Sequence, residues 1–207
     1  MRYHHIFWDF DGMLFNSYPH IAAAYTQALA DFGRQADADI LMAKLKISFV
    51  EAHKYLEADE ALISRFRHYE QDLDFSPIVK PYDGIRELLA HTQAAGASHY
   101  LFTHRNNLAL TYLEKEGLLP FFRDTVTSAS KEHFAPKPAP DSITYMMKKH
   151  HLTPADCVMV GDREIDVGSG IAAGAQGILF DEFQNLGNTA AQHRVYSIAE
   201  LEALLLA

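Results

Sequence analysis

The stretch Ile6-Phe7-Trp8-Asp9-Phe10-Asp11-Gly12 decides how this chain is read. An apolar, aromatic run ends in two carboxylates two positions apart, followed by glycine. Side chains on a strand alternate between faces, so Asp9 and Asp11 project the same way if strand geometry extends that far. Two carboxylates held together repel and raise at least one proton affinity. A fold accepts that penalty most readily where a cation or a reaction needs it. Gly12 then lets the chain turn sharply.

Outward from this stretch, five short apolar runs read as buried strands: Tyr3 to Phe10, Ala97 to Thr103, Thr125 to Ser128, Cys157 to Gly161 and Gly177 to Phe180. Helical spacing lies between the later ones. Ile85, Leu88 and Leu89 suit a helix that stops near Gly96, and Leu108, Leu110, Tyr112 and Leu113 one that stops at Gly117. Ile143, Met146 and Met147 suit a third. Ile165 to Ala173 suits a fourth, closed by Gly174, and Ala199 to Ala207 reads as a closing helix. Strands alternating with helices predict an α/β fold: a Rossmann-like, parallel, five-stranded sheet with helices on both faces. In such sheets the reactive cleft lies at the C-terminal ends of the strands.

One interval breaks the alternation. From Asn16 to Ile78 only helical patterns occur, such as Ala22-Ala23-Ala24, Ala28-Leu29-Ala30 and Leu41 to Leu45. That is too long for one crossover helix. It reads as an inserted all-helical cap, residues 16–78, serving as a lid, with residues 1–15 and 79–207 forming the α/β core. The plainer reading is an elaborated crossover that touches no ligand. Pro77 and Pro81-Tyr82-Asp83-Gly84 mark the return to the sheet.

Four further signals fall at or just after strand ends. Thr103-His104-Arg105 ends the second strand. Lys137 sits in Ala135-Pro136-Lys137-Pro138, and Gly161-Asp162 ends the fourth strand with Asp166 four positions on. That spacing at a helix start keeps Asp162 and Asp166 on one side. Singly each is weak: Thr103 is a common strand-end residue, Lys137 reads equally as a solvated loop charge, and Asp162 as a helix cap. Together they put four carboxylates, a hydroxyl and an ammonium at one end of the sheet.

In this conjunction the chain resembles the haloacid dehalogenase superfamily, and within it the phosphatases whose helical cap follows the first strand, such as phosphoglycolate phosphatases and beta-phosphoglucomutases. Asp9-Phe10-Asp11-Gly12-Met13-Leu14 is similar to the family's first motif, with Met13 where Thr or Val is commoner. Thr103 matches the second motif, Lys137 the third, and Gly161-Asp162 with Asp166 the fourth. Asn16 stands where many relatives carry Asp, with little catalytic effect expected.

The resemblance implies a Mg2+-dependent phosphatase acting on a small phosphorylated metabolite through an aspartyl phosphate. It assigns metal ligation to Asp9, the backbone carbonyl of Asp11 and Asp162, with Asp166 supporting metal waters or orienting Lys137. Hard oxygen ligands and no available thiolate favour Mg2+ over zinc. Asp9 is the nucleophile, Asp11 the general acid and base, Thr103 a phosphoryl grip, and Lys137 the charge that stabilises the pentavalent species. His104 and Arg105 are candidates to line the cleft and touch substrate. In the cap, Lys46 and Ser48 stand where relatives often carry a Gly-rich turn, so Lys46 is a candidate leaving-group contact; a solvated helix face is the plainer reading. Two rivals share the motifs: a phosphosugar mutase, and a catalytically silent binding module. Dehalogenation fits less well, because it needs neither Asp11 nor the metal carboxylates.

Composition bounds the rest. The 207 residues are 48% apolar, enough for a full core. A net charge of −9, from 27 acidic and 18 basic residues, argues against nucleic-acid or anionic-membrane partners. No apolar run reaches the roughly 18 residues of a membrane span, and Asp9 comes too early for a signal peptide, so a cytoplasmic protein is expected. The single Cys157 reads as a small core hydrophobe. Among the twelve His, the adjacent pairs His4-His5 and His150-His151 lack chelating spacing and read as structural or surface residues, while Trp8 reads as core packing.

Overall fold

The computed structural model describes residues 2–72, 79–184 and 186–207. In chain order the elements are β1 (His5–Trp8), β2 (Phe15–Asn16), α1 (Tyr18–Asp31), α2 (Ala38–Ile47), α3 (Phe49–Tyr55), α4 (Glu60–Gln71), β3 (Lys80–Pro81), α5 (Ile85–Ala94), β4 (Ser98–Phe102), α6 (Leu108–Lys115), β5 (Phe122–Val126), α7 (Asp141–His150), β6 (Cys157–Gly161), α8 (Glu164–Ala172), β7 (Gln176–Phe180), β8 (His193–Val195) and α9 (Ile198–Leu206). The chain divides into two compact units, residues 1–15 with 81–207, and residues 16–80.

In the first unit the main sheet runs β5-β4-β1-β6-β7-β8, and every pairing is parallel. It has six strands rather than the expected five. The extra one, His193-Arg194-Val195, is a short edge strand with two polar residues, so it carries no apolar run. The third strand also begins earlier than its apolar residues suggest. It spans Phe122–Val126, not Thr125 to Ser128, because Arg123 and Asp124 ride on the other edge strand.

β1 lies at the centre because Ile6, Phe7 and Trp8 are wholly buried, as a strand covered on both faces requires. On one face Phe7, Tyr100 and Met159 pack with Ile143, Met146 and Met147 of α7, and Cys157 belongs to the same cluster. Burial pushes the Cys157 thiol up to about 12, which keeps it neutral. On the other face the Trp8 indole donates to His99 Nδ1 at 3.1 Å, while His99 Nε2 meets the Leu89 carbonyl of α5 at 3.2 Å. From β1 the chain builds outward to β4 and β5, then returns to β6 on the other side of β1. That reversal puts the crevice where ligands bind in such sheets just beyond β1 and β6.

The second unit contains α1 to α4. Capping sets three of its helix starts: Asp37 accepts from the amides of Asp39 and Ile40, Ser48 from Glu51, and Asp59 from Leu62. Its core gathers Ile21, Tyr25, Leu29, Leu45 and Phe66 among others, with the Tyr25 and Phe66 rings stacked at 3.8 Å. Pro77, expected to mark the return to the sheet, lies outside the described residues, as does Ile78. Among the described residues, no helix is long and apolar enough to cross a membrane.

Candidate active site

β1 stops at Trp8, so strand alternation does not reach the two carboxylates. Asp9 continues the ladder by one backbone bond, donating its amide to the Val160 carbonyl at 2.9 Å. The chain then turns: Gly12 has φ of 77°, a left-handed conformation suited to glycine, and donates to Phe15 O at 2.8 Å. Asp9 and Asp11 therefore enter different surroundings.

Asp9 is buried in a cluster drawn from the segments after β1 and β6, the first turn of α8 and the loop that carries Lys137. The Lys137 ammonium donates to Asp9 Oδ1 at 2.6 Å and to Asp166 Oδ1 at 2.7 Å, and stands 4.6 Å from the Phe102 ring centre. The side chain of Lys137 is fully buried, which excludes the solvated-loop reading. Carboxylate oxygens of Asp9, Asp162 and Asp166 lie within 4.8 Å of one another. Asp166 spends its second oxygen on the Arg163 amide at 3.0 Å, so one residue caps α8 and holds Lys137. Gly161 makes room for this: a Cβ there would stand 2.3 Å from Asp166 Cβ. Arg163, which nothing in the sequence reading singled out, puts its guanidinium 3.7 Å from both Asp162 and Asp166. The available signal was its place directly after Gly161-Asp162.

Burial first, then the Asp166 charge, raises the Asp9 carboxyl above the ordinary carboxylate range, against the pull of Lys137. Burial also acts to raise Asp166, but Lys137 and Arg163 outweigh it and hold that carboxyl low. For Lys137, burial opposes the charge, yet Asp166 and Asp9 hold the ammonium above its usual value. Asp9 Oδ2 is buried with no hydrogen-bond partner. A buried orphan oxygen amid three carboxylates is the feature a hard divalent cation satisfies, and the all-oxygen donor set suits Mg2+. Among the described residues this is the one group of three or more acidic, His or Cys side chains close enough to hold an ion.

Asp11 lies outside this cluster. Arg105 Nε donates to both its oxygens, at 3.0 and 3.1 Å, and Arg105 Nη2 to Oδ1 at 2.8 Å. Arg105 was expected to contact substrate; here its fork is on Asp11. Thr103 follows β4, is buried, and its Oγ1 accepts the Arg105 amide at 3.0 Å. His104 Nε2 accepts the Lys137 amide at 2.7 Å and so fixes the loop that carries the lysine. Desolvation around the His104 ring, then the Lys137 and Arg163 charges, push it down to about 4, consistent with a neutral acceptor. Thr103 and His104 also border a cavity of about 370 Å³ that extends along the 126–136 loop, with Asp9 and Asp162 not in its lining. Lys46 belongs to the other unit. It is buried, with Nζ 4.0 Å from the Tyr18 ring centre, so the solvated-face reading is corrected. Ser48 serves as the cap of α3.

Fold and site together define a class: a parallel α/β protein with an acidic, cation-ready centre at the strand ends. The sequence profile of the haloacid dehalogenase-like hydrolases matches residues 6–180. A phosphoglycolate phosphatase from Colwellia psychrerythraea is 26% identical over 91% of this chain and 88% of its own length. A pyrophosphatase, PpaX, from Bacillus pumilus is 28% identical over 83% of this chain and 80% of its own. Among solved structures, a hydrolase from Streptococcus pneumoniae covers 99% of both chains at 29% identity and a TM-score of 0.71. A haloacid dehalogenase family hydrolase from Deinococcus radiodurans, solved with bound phosphate and sodium, shares the fold at 22% identity and a TM-score of 0.77, covering 99% of this chain and 95% of its own. The chain belongs to the haloacid dehalogenase-like hydrolases, and the curated relatives it is similar to include phosphoglycolate phosphatases.

Proposed function

We propose that the protein is a Mg2+-dependent phosphatase that hydrolyses a small phosphorylated metabolite through an aspartyl phosphate on Asp9. The observation that carries this reading is the Lys137 ammonium bonded at once to Asp9 and Asp166, with the second Asp9 oxygen buried and unpartnered. Asp9, the Asp11 carbonyl and Asp162 would hold the ion, with Asp166 aligning Lys137 beside them. Bound Mg2+ supplies the charge neutralisation that lets an anionic nucleophile approach a phosphate dianion.

Asp9 attacks phosphorus, its new O–P bond forming as the bond to the leaving oxygen breaks. Asp11 gives that oxygen a proton, then takes one from the water that cleaves the acyl phosphate. The Thr103 hydroxyl grips a phosphoryl oxygen, its acceptor side already satisfied by the Arg105 amide. Lys137 balances the charge that grows in the transition state. Phosphoglycolate and pyrophosphate, named for two relatives, are the first substrates to try. The candidate leaving-group role of Lys46 has its own test: Lys46→Ala changes the ranking of a phosphometabolite panel, and an unchanged ranking rejects that role.

The direct experiment measures inorganic phosphate release. Asp9→Asn abolishes turnover with an unchanged circular-dichroism spectrum, EDTA stops the parent enzyme, and Mg2+ restores it. Substantial hydrolysis by pure Asp9→Asn, or full activity without metal, rejects the scheme. Isomerised sugar phosphate in place of released phosphate identifies a mutase.

A further inference from the structure

We infer that Arg105 is the positioning residue for Asp11: its guanidinium fork sets the plane of the carboxyl that exchanges protons with the leaving group. The inference rests on the acid–base role proposed for Asp11 and adds what holds that side chain.

Asp11 sits on a turn just past the end of β1, next to Gly12 with its positive φ, and bridges Phe15 outside the named strands. A carboxyl there gains no rotational restraint from a strand ladder. Arg105 provides it from a chain position 94 residues away. Three N–H···O contacts of 2.8 to 3.1 Å define both distance and plane, which is the geometry a planar guanidinium offers and an ammonium does not. The Arg105 side chain is 4% exposed and that of Asp11 16%.

Arg105 is itself anchored at both ends of its peptide. Its amide donates to Thr103 Oγ1 at 3.0 Å, and its carbonyl accepts from the Ser128 amide at 3.1 Å. The residue that orients Asp11 is thus tied through Thr103 to the proposed phosphoryl grip. With the plane so held, the Asp11 O–H bond breaks as the leaving oxygen gains the proton and loses its bond to phosphorus. Misaligning such a group by a fraction of an ångström costs rate without costing binding.

The test separates leaving groups. Phenyl phosphate and dinitrophenyl phosphate present the same phosphoryl group, but only the phenoxide needs a proton as it departs. With each, kcat/KM reports the phosphorylation half-reaction. Arg105→Met is expected to lose about 100-fold on phenyl phosphate and less than about 5-fold on dinitrophenyl phosphate, within the range usual for a general acid. Arg105→Lys, which keeps the charge and loses the fork, falls between parent and Met on phenyl phosphate. Added to Asp11→Asn, Arg105→Met has no further effect on phenyl phosphate. Equal losses on both substrates overturn the inference, because they place Arg105 on the phosphoryl group, and so does any gain on phenyl phosphate. Asp11→Asn alone is the control: if its losses do not depend on the leaving group, the acid–base reading of Asp11 fails first.

Discussion

Asp9 and Asp11 belong to one motif, two residues apart, yet the fold treats them oppositely. Asp9 enters a buried group of three carboxylates faced by Lys137 and Arg163. With all five ionised, that centre carries one excess negative charge. Asp11 is partly exposed and paired with Arg105. Excess charge in a desolvated place is costly unless something completes it, so the first arrangement stores a demand for a cation, whereas the second fixes a direction. Ligation and proton transfer are different tasks, and one turn of chain at Gly12 separates them.

Removing the cation from the crowded side has the larger effect. Lys137→Met is expected to lower kcat by about 100- to 1,000-fold. It also destabilises the metal-free protein by about 3–5 kcal/mol, because buried carboxylates lose their partner, and Mg2+ recovers part of that loss in chemical denaturation. Equal stability of the two proteins without metal breaks the contrast between the two carboxylates.

A subtler change shifts Asp166 without touching any charge. The Cβ added by Gly161→Ala stands 2.3 Å from Asp166 Cβ, so the carboxylate moves off Lys137. Turnover falls about 10-fold and stability by about 1–3 kcal/mol. Phosphate release and thermal melts check both, and a variant matching the parent in each removes Asp166 as the support of Lys137.

The smallest effect sharpens the comparison from outside the site. His99 solves the same burial problem by neutrality: burial pushes it down to about 4 from 6.5, with the Trp8 indole on Nδ1. The unfolded chain takes up this proton below about pH 6.5 and the folded chain resists until about pH 4. Stability is therefore intact above the higher value and falls as pH drops toward the lower, by a few kcal/mol at most. In urea titrations at pH 7.5 and 5, His99→Gln loses less stability on acidification than the parent; equal pH slopes exclude His99 as a source of acid sensitivity.

Legibility followed burial. β6 was readable at its bounds because Cys157-Val158-Met159-Val160 is continuously apolar and Gly161 ends it. β8 was not, since His193 and Arg194 on an edge strand face partly to water, and Arg123 and Asp124 hid the start of β5 for the same reason. In the site, residue type and strand-end position were enough to nominate Asp9, Lys137, Asp162 and Asp166, which the structure gathers. Side-chain pairing was not legible: the partner of Arg105 lies 94 residues away, and nothing near Lys137 in sequence signals full burial.

The central claim is that Asp9 carries the phosphoryl group during turnover. It is met most directly by acid-quenching the enzyme with labelled phosphoryl substrate and Mg2+, then mapping the acid-stable, hydroxylamine-labile label by peptide mass spectrometry. The expected result is one phosphorylated peptide containing Asp9, absent from Asp9→Asn. Label on any other residue, or turnover with no labelled protein at any quench time, contradicts the account.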